Sequence, residues 1–332
     1  MKPIVVVAHD EFTDATVEED VLSAIGATVL YPRNLTTPEA IEAAIEADAL
    51  IVARQKVPGE LLSRLRRCRI VSRAGTGVDN IDVGAATKYG IWVTNVPDYS
   101  VDEVSTHAIA LLLAYVRRIP RLVEMTRQGI WDSMLVRPLE RLAGQYLGVL
   151  GFGRIGRAVA KKGIGLGLAV TAHDPFVDAA SMQEMGVRSV DFETILRTSD
   201  FLTLHMPLSN ATHHIIDAKA LPLMKPTAFL INTARGGLVD ENALLCAVES
   251  GTIAGAALDA LLAEPPPLDD PLLRDERIMI TPHIGWYSEA SGRDMRAWSA
   301  QEVVRVLSGE RPRYPVNQIE YDCDRQKSSK ND

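Results

Sequence analysis

The segment that decides the fold is "QYLGVLGFGRIGRAVAKKGIGLGLAVTAHD", residues 145–174. It opens with an apolar run typical of a buried strand, continues with G-x-G-x-x-G at Gly151, Gly153 and Gly156, and passes into a helical pattern. A second apolar run then ends at Asp174. A strand, a glycine loop, a helix and a strand in this order predict a βαβ unit whose loop cradles a pyrophosphate.

Each glycine of this loop has a separate predicted role. The first permits a tight turn, the second lets the backbone approach the pyrophosphate, and the third lets the helix pack closely on the strand. The free N–H groups at the start of the helix are expected to face the anion.

Asp174 lies 18 residues after Gly156, where an acidic side chain accepts hydrogen bonds from the adenosine ribose. Its charge would repel a 2′-phosphate by roughly 1 to 4 kcal/mol at a separation of about 4 Å, depending on the local dielectric. We therefore predict NAD, rather than NADP, as the cofactor. The alternative is that Asp174 only begins a turn before Pro175.

The composition describes an ordinary globular chain that is long enough for about two domains, with 332 residues, 47% hydrophobic and 23% charged. The formal net charge of −8 argues against nucleic acid or an anionic membrane as the main partner. No apolar run reaches the roughly 18 to 20 residues that span a bilayer. The start, "MKPIVVVAHD", has the pattern of a first strand rather than of a signal peptide.

The cysteines and histidines show no spacing typical of a metal site. Cys68, Cys246 and Cys323 form no close pair, and neither His205 nor the pair His213–His214 has ligand partners at the required spacing. We therefore predict no metal and a reducing, cytoplasmic location.

Alternating strand and helix patterns predict two domains of the α/β class. Five βα repeats in the first hundred residues indicate a parallel sheet that is covered by helices on both faces, and a second series begins near residue 145. Between them, residues 101–119 predict one long helix ended by Pro120. A last helix over residues 288–307 has no strand to follow it and is expected to return to the first domain.

The predicted architecture is two doubly wound parallel-sheet domains with a cleft between them. The first is a discontinuous, flavodoxin-like substrate-binding domain, the second is a Rossmann NAD-binding domain, and a polar, disordered tail follows. Their predicted boundaries are residues 1–99 plus 288–320, residues 100–287, and residues 321–332.

Polar residues that follow apolar runs in the second series are candidates for catalysis. Arg235 suits the planar, bidentate binding of a carboxylate, and Asp259 and Glu264 follow the next strand. A carboxylate beside His283 would orient the ring and favour its protonated form. The spacing does not show that these side chains meet, and a surface or structural role for His283 and a capping or ion-pair role for Arg235 stay open.

Several motifs together resemble the D-2-hydroxyacid dehydrogenase family. They are "AGTGVDNIDVGAATKYGIWVTNVPDYSVDEV", "LGVLGFGRIG", "LHMPL", "INTARGG", "ALDALLAEPPP" and "TPHIG", in the family's order from about residue 70 to 290. The resemblance implies an Arg–Glu–His catalytic set, which here is Arg235, Glu264 and His283. Arg235 would bind the substrate carboxylate, His283 would exchange the proton, and Glu264 would tune His283.

The same resemblance implies further contacts and a homodimer. The helix that begins at Val101 would form part of the dimer interface. Asp259 would hold the nicotinamide carboxamide, and other residues would line the cofactor or bind the substrate through backbone amides. The implied cofactor contacts are Pro207, Thr233, Gly285 and, through their backbone at the pyrophosphate, Arg154 and Ile155. The implied substrate amides are those of Gly75, Thr76 and Gly77.

Two residues bear on the choice of substrate. "VPDYSVDEVSTHAIALLLA" and "HIGWYSEAS" resemble the branch that includes the C-terminal-binding proteins and their bacterial relatives, in which the residue at Trp286 lines the substrate pocket. An aromatic wall favours an apolar or thioether side chain. Arg54 would add a contact for a second anionic group if it points inward; otherwise it is a solvated surface arginine. The alternative for Trp286 is that it packs at the interface between the two domains.

The function predicted from these features is the NAD-dependent interconversion of a 2-oxo acid and a D-2-hydroxy acid, with His283 as the proton donor and acceptor. The alternative, from the same branch, is a regulatory scaffold that senses NAD(H). Formate oxidation is a weaker possibility, since the family's formate enzymes carry glutamine where this chain has Glu264.

Overall fold

Two parallel sheets form the two units into which the chain divides. The computed structural model describes residues 2–319, so the predicted disorder of residues 321–332 lies outside the described residues. Within this range, one unit contains residues 2–99 and 288–319, and the other contains residues 100–287. The predicted α/β class with two parallel-sheet domains is confirmed.

The first unit contains a five-stranded sheet in the order β2-β1-β3-β4-β5. The strands are runs of valine, isoleucine and leucine that are mostly buried on both faces, as parallel sheets require. This order is that of flavodoxin-like folds, with the switch point between β1 and β3. The strands are β1 (Ile4–Ala8), β2 (Thr28–Leu30), β3 (Ala49–Val52), β4 (Ile70–Arg73) and β5 (Trp92–Thr94), and the helices between them are α1 (Thr16–Leu22), α2 (Pro38–Ile45), α3 (Gly59–Arg64) and α4 (Val83–Lys88).

The second unit contains a seven-stranded sheet in the order β12-β11-β10-β9-β6-β7-β8. This is the Rossmann order with one strand added, and its switch point lies between β6 and β9. The strands are β6 (Tyr146–Leu150), β7 (Ala169–His173), β8 (Arg188–Ser189), β9 (Phe201–Leu204), β10 (Phe229–Asn232), β11 (Gly255–Leu258) and β12 (Ile278–Ile280). The helices are α5 (Val101–Val116), α6 (Ile119–Arg127), α7 (Arg154–Gly165), α8 (Ala179–Glu184), α9 (Phe192–Thr198) and α10 (Glu241–Glu249).

The predicted single helix over residues 101–119 is wrong. The helix α5 ends at Val116, and Arg118 adopts a φ of +52° that breaks the helical path. Pro120 lies in the first turn of α6 and therefore begins a helix instead of ending one. Proline is favoured there because the first-turn N–H has no intrahelical acceptor.

The last helix, α11 (Glu289–Leu307), packs against α1 in the first unit. A buried ion pair joins the two helices, with Arg296 Nη2 lying 2.6 Å from Glu18 Oε2. Burial alone would raise the pKa of Glu18, but hydrogen bonds and charge from His9 and Arg296 outweigh it and lower that pKa. Removing one partner of a buried pair costs about 3–5 kcal/mol because the other charge is left buried and unpaired, so Glu18 and Arg296 each depend on the other.

Candidate active site

The glycine loop follows β6 at the switch point of the second sheet. Gly151 has a φ of +89°, and a Cβ there would lie 2.7 Å from the carbonyl carbon of His205. A Cβ at Gly156 would lie 2.1 Å from Gly151 O. These two glycines are therefore required by the packing of the loop itself.

Gly153 is different, because a Cβ there would meet no heavy atom within 4 Å. It is the N-cap of α7, so the N–H groups of Arg154 and Ile155 lie in the first turn. First-turn N–H groups lack intrahelical acceptors, and a helix N-terminus attracts anions. The packing of the protein therefore does not require glycine at position 153, whereas the close approach of a pyrophosphate to this backbone would require it.

Asp174 follows β7 and is tied directly to this loop. Its Oδ2 accepts from the N–H of Phe152 at 2.7 Å, and its Oδ1 accepts from the N–H of Phe176 at 2.9 Å. The second bond is the turn contact that aspartate forms with its own backbone. The two interpretations of Asp174 are therefore compatible, since the turn fixes a carboxylate next to the glycine loop.

Thr233 and Pro207 follow the neighbouring strands β10 and β9. Thr233 is only 9% exposed, and within residues 2–319 its Oγ1 has no hydrogen-bond partner. Pro207 is exposed, and its carbonyl accepts from Thr212 Oγ1 at 2.7 Å. A buried hydroxyl without a partner calls for an explanation, and a bound polar ligand supplies one. The unpartnered hydroxyl of Thr233 and the open space at Gly153 together fit a bound dinucleotide.

His283 and Glu264 form a direct pair. His283 Nδ1 lies 2.8 Å from Glu264 Oε2 and 3.0 Å from Oε1, and the two side chains keep 29% and 31% exposure. Because an ionised carboxylate only accepts hydrogen bonds, Nδ1 carries the proton. Among residues 2–319, Nε2 of His283 has no hydrogen-bond partner, so this nitrogen is available to a substrate.

Asp259 organises the segment that carries His283. Its Oδ1 accepts from Thr281 Oγ1 at 2.6 Å and from the Ile284 N–H at 3.0 Å, and its Oδ2 accepts from the Gly285 N–H at 2.9 Å. His107 Nε2, from α5, lies 3.4 Å from Oδ1. Burial alone would raise the pKa of Asp259, but these hydrogen bonds outweigh it and lower that pKa.

Gly285 is confined by the same contacts. A Cβ there would lie 2.8 Å from Asp259 Oδ2 and 3.1 Å from His107 Cδ2. His283 has a φ of +51°, a conformation that costs of order 1–3 kcal/mol unless its surroundings hold it. The network around Asp259 is therefore what keeps the histidine backbone in place.

Arg235 lies on a turn that packs directly on the segment before Glu264. Its backbone carbonyl accepts from Asn232 Nδ2 at 2.7 Å, and its Nη1 donates to Ala234 O at 2.7 Å. A Cβ at Gly236 would lie 2.1 Å from the carbonyl carbon of Leu261. Only glycine at 236 therefore allows the arginine turn and the glutamate segment to touch.

In the first unit, Gly75, Thr76 and Gly77 follow β4. Gly75 has a φ of +135°, and a Cβ there would lie 1.1 Å from Arg73 Nη1, so the guanidinium covers the loop. Arg73 also donates to Ala74 O at 2.9 Å. Arg73 was not among the predicted site residues, although it directly precedes the "AGTG" motif.

Arg54 and Trp286 each contact a neighbouring side chain of their own unit. Arg54 Nε lies 3.1 Å from Glu11 Oε1, and 48% of the arginine side chain is exposed. Glu11 follows β1 and Arg54 follows β3, so the pair lies at the switch point of the first sheet. Trp286 is half-buried, and its ring meets Tyr287 edge to face with centroids 5.3 Å apart.

Residues 2–319 contain neither a metal-type cluster of side chains nor a membrane-spanning helix. No group of three or more histidine, cysteine, aspartate or glutamate side chains there could hold a metal ion. In the same part of the chain, no helix combines the length and apolar character that crossing a bilayer requires.

Comparison with known proteins gives the family of this chain. Residues 109–285 match the family model described as "D-isomer specific 2-hydroxyacid dehydrogenase, NAD binding domain". The chain belongs to this family. NAD is its cofactor, and the matched residues fall within the Rossmann unit that carries the glycine loop, Asp174 and the His283–Glu264 pair.

Individual members of the 2-hydroxyacid dehydrogenase family differ in how much they share with this chain. It is 39% identical to a D-3-phosphoglycerate dehydrogenase of Methanocaldococcus jannaschii over 285 residues, 85% of this chain but only 54% of that protein. It is 40% identical to a glyoxylate reductase of Thermococcus litoralis, over 83% of this chain and 86% of the relative. The structure of a D-lactate dehydrogenase from Aquifex aeolicus, complexed with NAD and lactic acid, matches with a TM-score of 0.82, 29% identity, and coverage of 92% and 96% of the two chains.

Proposed function

We propose that this chain interconverts a 2-oxo acid and a D-2-hydroxy acid with NAD(H). The observation that carries the proposal is the His283–Glu264 pair, in which one ring nitrogen is held by a carboxylate and the other has no partner within residues 2–319. The named activities of the relatives, on glyoxylate, lactate and phosphoglycerate, all concern 2-oxo or 2-hydroxy acids or close analogues and support this class of substrate.

In the direction of reduction, His283 in its protonated form donates a proton from Nε2 to the carbonyl oxygen of the substrate. NADH, when bound, supplies the hydride to the carbonyl carbon. Glu264 accepts from Nδ1, which orients the ring and stabilises the imidazolium before the transfer. After the transfer the imidazole is neutral, and in the reverse direction it accepts the proton of the hydroxyl group.

Arg235 is proposed to bind the substrate carboxylate through its planar guanidinium and to polarise the carbonyl. The backbone amides of residues 75–77 are proposed to contribute donors for the substrate. Arg73 covers that loop and adds positive charge to it. These groups fix the acid in one orientation, which is what a defined stereochemistry at the hydroxyl carbon requires.

The remaining cofactor contacts are proposed from their positions beside the glycine loop. The first-turn amides of Arg154 and Ile155 would bind the pyrophosphate, Asp174 the ribose, and Thr233 Oγ1 a polar group of the nicotinamide half. Asp259 already holds the amides of residues 284 and 285, so we propose that it acts mainly by fixing this segment. Pro207 and Gly285 have no side-chain hydrogen-bond donors and would contact the cofactor by packing against it.

Trp286 and Arg54 are proposed to shape the choice of acid. A half-buried indole favours an apolar substituent. Glu11 already neutralises Arg54, so a second anionic group on the substrate would have to compete with that carboxylate. We therefore propose a preference for singly charged 2-oxo acids.

A homodimer is proposed from the surface around α6. Large apolar side chains are exposed along residues 119–139 and include Trp131, whose exposure is 91%. Exposed apolar patches of this kind mark protein interfaces, and a second copy of the chain would cover this one. The side chains are Ile119, Val123, Ile130, Trp131, Met134, Leu135 and Leu139.

The free thiols Cys68 and Cys246 suit the proposed cytoplasmic location.

The test is the rate of NADH oxidation with a panel of 2-oxo acids, and of NADPH oxidation as the control. The panel contains pyruvate, phenylpyruvate and glyoxylate as singly charged acids, and 2-oxoglutarate and phosphohydroxypyruvate as more highly charged acids. The proposal predicts turnover with NADH and a preference for the first group. If NADH binds and no acid is reduced, the dehydrogenase proposal fails and the NAD(H)-sensing scaffold takes its place.

A further inference from the structure

A second glutamate lies behind the His283–Glu264 pair. Glu241, the first residue of α10, accepts from the N–H of Leu262 through its Oε1 at 2.7 Å. The preceding amide, that of Leu261, donates to Glu264 Oε1 at 3.0 Å. Two carboxylates therefore bind two consecutive amides of the turn formed by residues 261–264.

This turn has little burial to hold it in place. Leu262 is 54% exposed, and Ala263 and Glu264 are also exposed. On one side, the turn contacts the backbone of Gly236 through Leu261. The hydrogen bonds to the backbone of this largely exposed turn therefore matter for its position, and the bond from the Leu262 N–H is to a charged acceptor, which makes it stronger than a bond between neutral groups.

The charges around Glu241 connect it to the pair. The pKa of Glu241 is raised, because burial and the charges of Asp270 and Glu264 together outweigh the Leu262 N–H bond and the charge of His214, which lower it. On its own helix, Asp240 caps the N-terminus by accepting from the Ala243 N–H. An ionised Glu241 therefore adds negative charge on the side of Glu264.

We propose that Glu241 is a positioning residue for His283: it holds the turn of residues 261–264 so that Glu264 meets the ring, and it adds negative charge that favours the imidazolium. This inference rests on the proposed function, because it concerns the same proton carrier. It assigns Glu241 no contact with substrate or cofactor.

Two variants separate the hydrogen bond from the charge. Glu241→Ala removes both. Glu241→Gln keeps an oxygen that accepts from the Leu262 N–H but removes the charge. Glu249→Ala, an exposed glutamate at the far end of the same helix, is the matched control.

The kinetic test measures kcat, the KM for NADH and the pH profile of reduction. Glu241→Ala should lower kcat roughly 10- to 100-fold, as expected when a catalytic group is displaced by about 1 Å, with the KM for NADH unchanged. Glu241→Gln should recover most of kcat at low pH, and its activity should decline at a lower pH than that of the wild type. Glu249→Ala should match the wild type. Wild-type kcat in Glu241→Ala, or equal loss in both Glu241 variants at every pH, overturns the proposal.

A second measurement separates this inference from the proposed function. NMR of the His283 side chain reports the Nδ1–H proton held by Glu264 without substrate, and thermal unfolding shows whether each variant folds. We expect the low-field Nδ1–H signal in the wild type and in Glu241→Gln, and its loss in folded Glu241→Ala. Persistence of the signal in Glu241→Ala overturns the positioning role even if the wild type reduces no acid.

Discussion

Glu264 holds His283 through both of its carboxylate oxygens, at 2.8 and 3.0 Å from Nδ1, although the two residues are 19 positions apart. The parallel neighbours β11 and β12 end at one edge of the sheet, which brings the segments after them together. The pair is half-exposed, so the ring is held on one side and open to a ligand on the other. This is the arrangement that a general acid requires.

Replacing Glu264 with glutamine tests the electrostatic half of this relationship. The amide can accept from Nδ1–H but carries no charge, so the imidazolium loses the stabilisation that the carboxylate charge gives it. The rate of reduction, which needs the protonated ring, should fall about 10- to 100-fold at neutral pH in the variant. As the pH rises, this rate should begin to decline at a lower pH than it does in the wild type. Oxidation, which needs the neutral ring, should stay active to a lower pH. Glu276→Gln, an exposed site before β12, is the control, and identical pH profiles would contradict the role of Glu264.

Two glycines of the phosphate loop should respond in opposite ways to alanine. Gly156→Ala forces a Cβ to within 2.1 Å of Gly151 O and should lower the Tm. Gly153→Ala meets no protein atom within 4 Å, so the Tm should be unchanged while the affinity for NADH falls about tenfold, or about 1.4 kcal/mol. Gly165→Ala, on the same helix and also in open space, should leave the affinity for NADH unchanged and should not lower the Tm. Calorimetry measures the Tm, and titration with NADH measures the affinity. Wild-type affinity for NADH in Gly153→Ala would contradict the proposed binding of the pyrophosphate at this loop.

Asp174 should set the preference for NADH over NADPH. In Asp174→Asn the side-chain oxygen can still accept from the Phe152 N–H, but the charge that repels a 2′-phosphate is gone. A repulsion of roughly 1 to 4 kcal/mol predicts that the ratio of kcat/KM for NADPH to that for NADH rises at least about fivefold. The same substitution at Asp178, the N-cap of α8, is the matched control. An unchanged ratio in Asp174→Asn would show that another group selects the cofactor.

His205 should make the fold sensitive to acid. Burial lowers the pKa of His205 from 6.5 to about 3, and its Nε2 lies 2.8 Å from Thr203 Oγ1. As the pH falls from 6.5 towards 3, the unfolded chain binds a proton at this residue that the folded chain does not, so stability declines by at most about 1.4 kcal/mol per pH unit. Urea unfolding of His205→Asn across this range should show a shallower decline than the wild type. The exposed His213, changed in the same way, should leave the slope unaltered; equal slopes in all three proteins would refute the assignment.

The sequence was sufficient for those features in which neighbouring residues carry the whole signal. The glycine loop and the acidic residue after β7 are local patterns, and alternating runs of valine and helix-forming residues predicted both parallel sheets. The break at Arg118 was missed because Pro120 has two local meanings: it ends one helix or begins the next. The positive φ at Arg118 decides between them.

The rest of the site could not be predicted, because it depends on contacts between distant segments. His107 lies 174 residues from Thr281, yet the two side chains meet at 3.0 Å beside Asp259. Glu241 and Arg73 likewise act through a turn and a glycine that only the fold brings to them. The roles of Arg235, Glu264 and His283 came from family resemblance, and Arg54 acquired a partner in Glu11 that no spacing rule indicates.

The central claim, that His283 carries the proton, is tested most directly by His283→Asn in a 2-oxo acid reduction assay with NADH. Asparagine is chosen because it adopts the positive φ of this position more readily than alanine. The account predicts a kcat about 10²- to 10⁴-fold lower, with the affinity for NADH retained. Wild-type turnover, or loss of NADH binding together with activity in a folded variant, would contradict it.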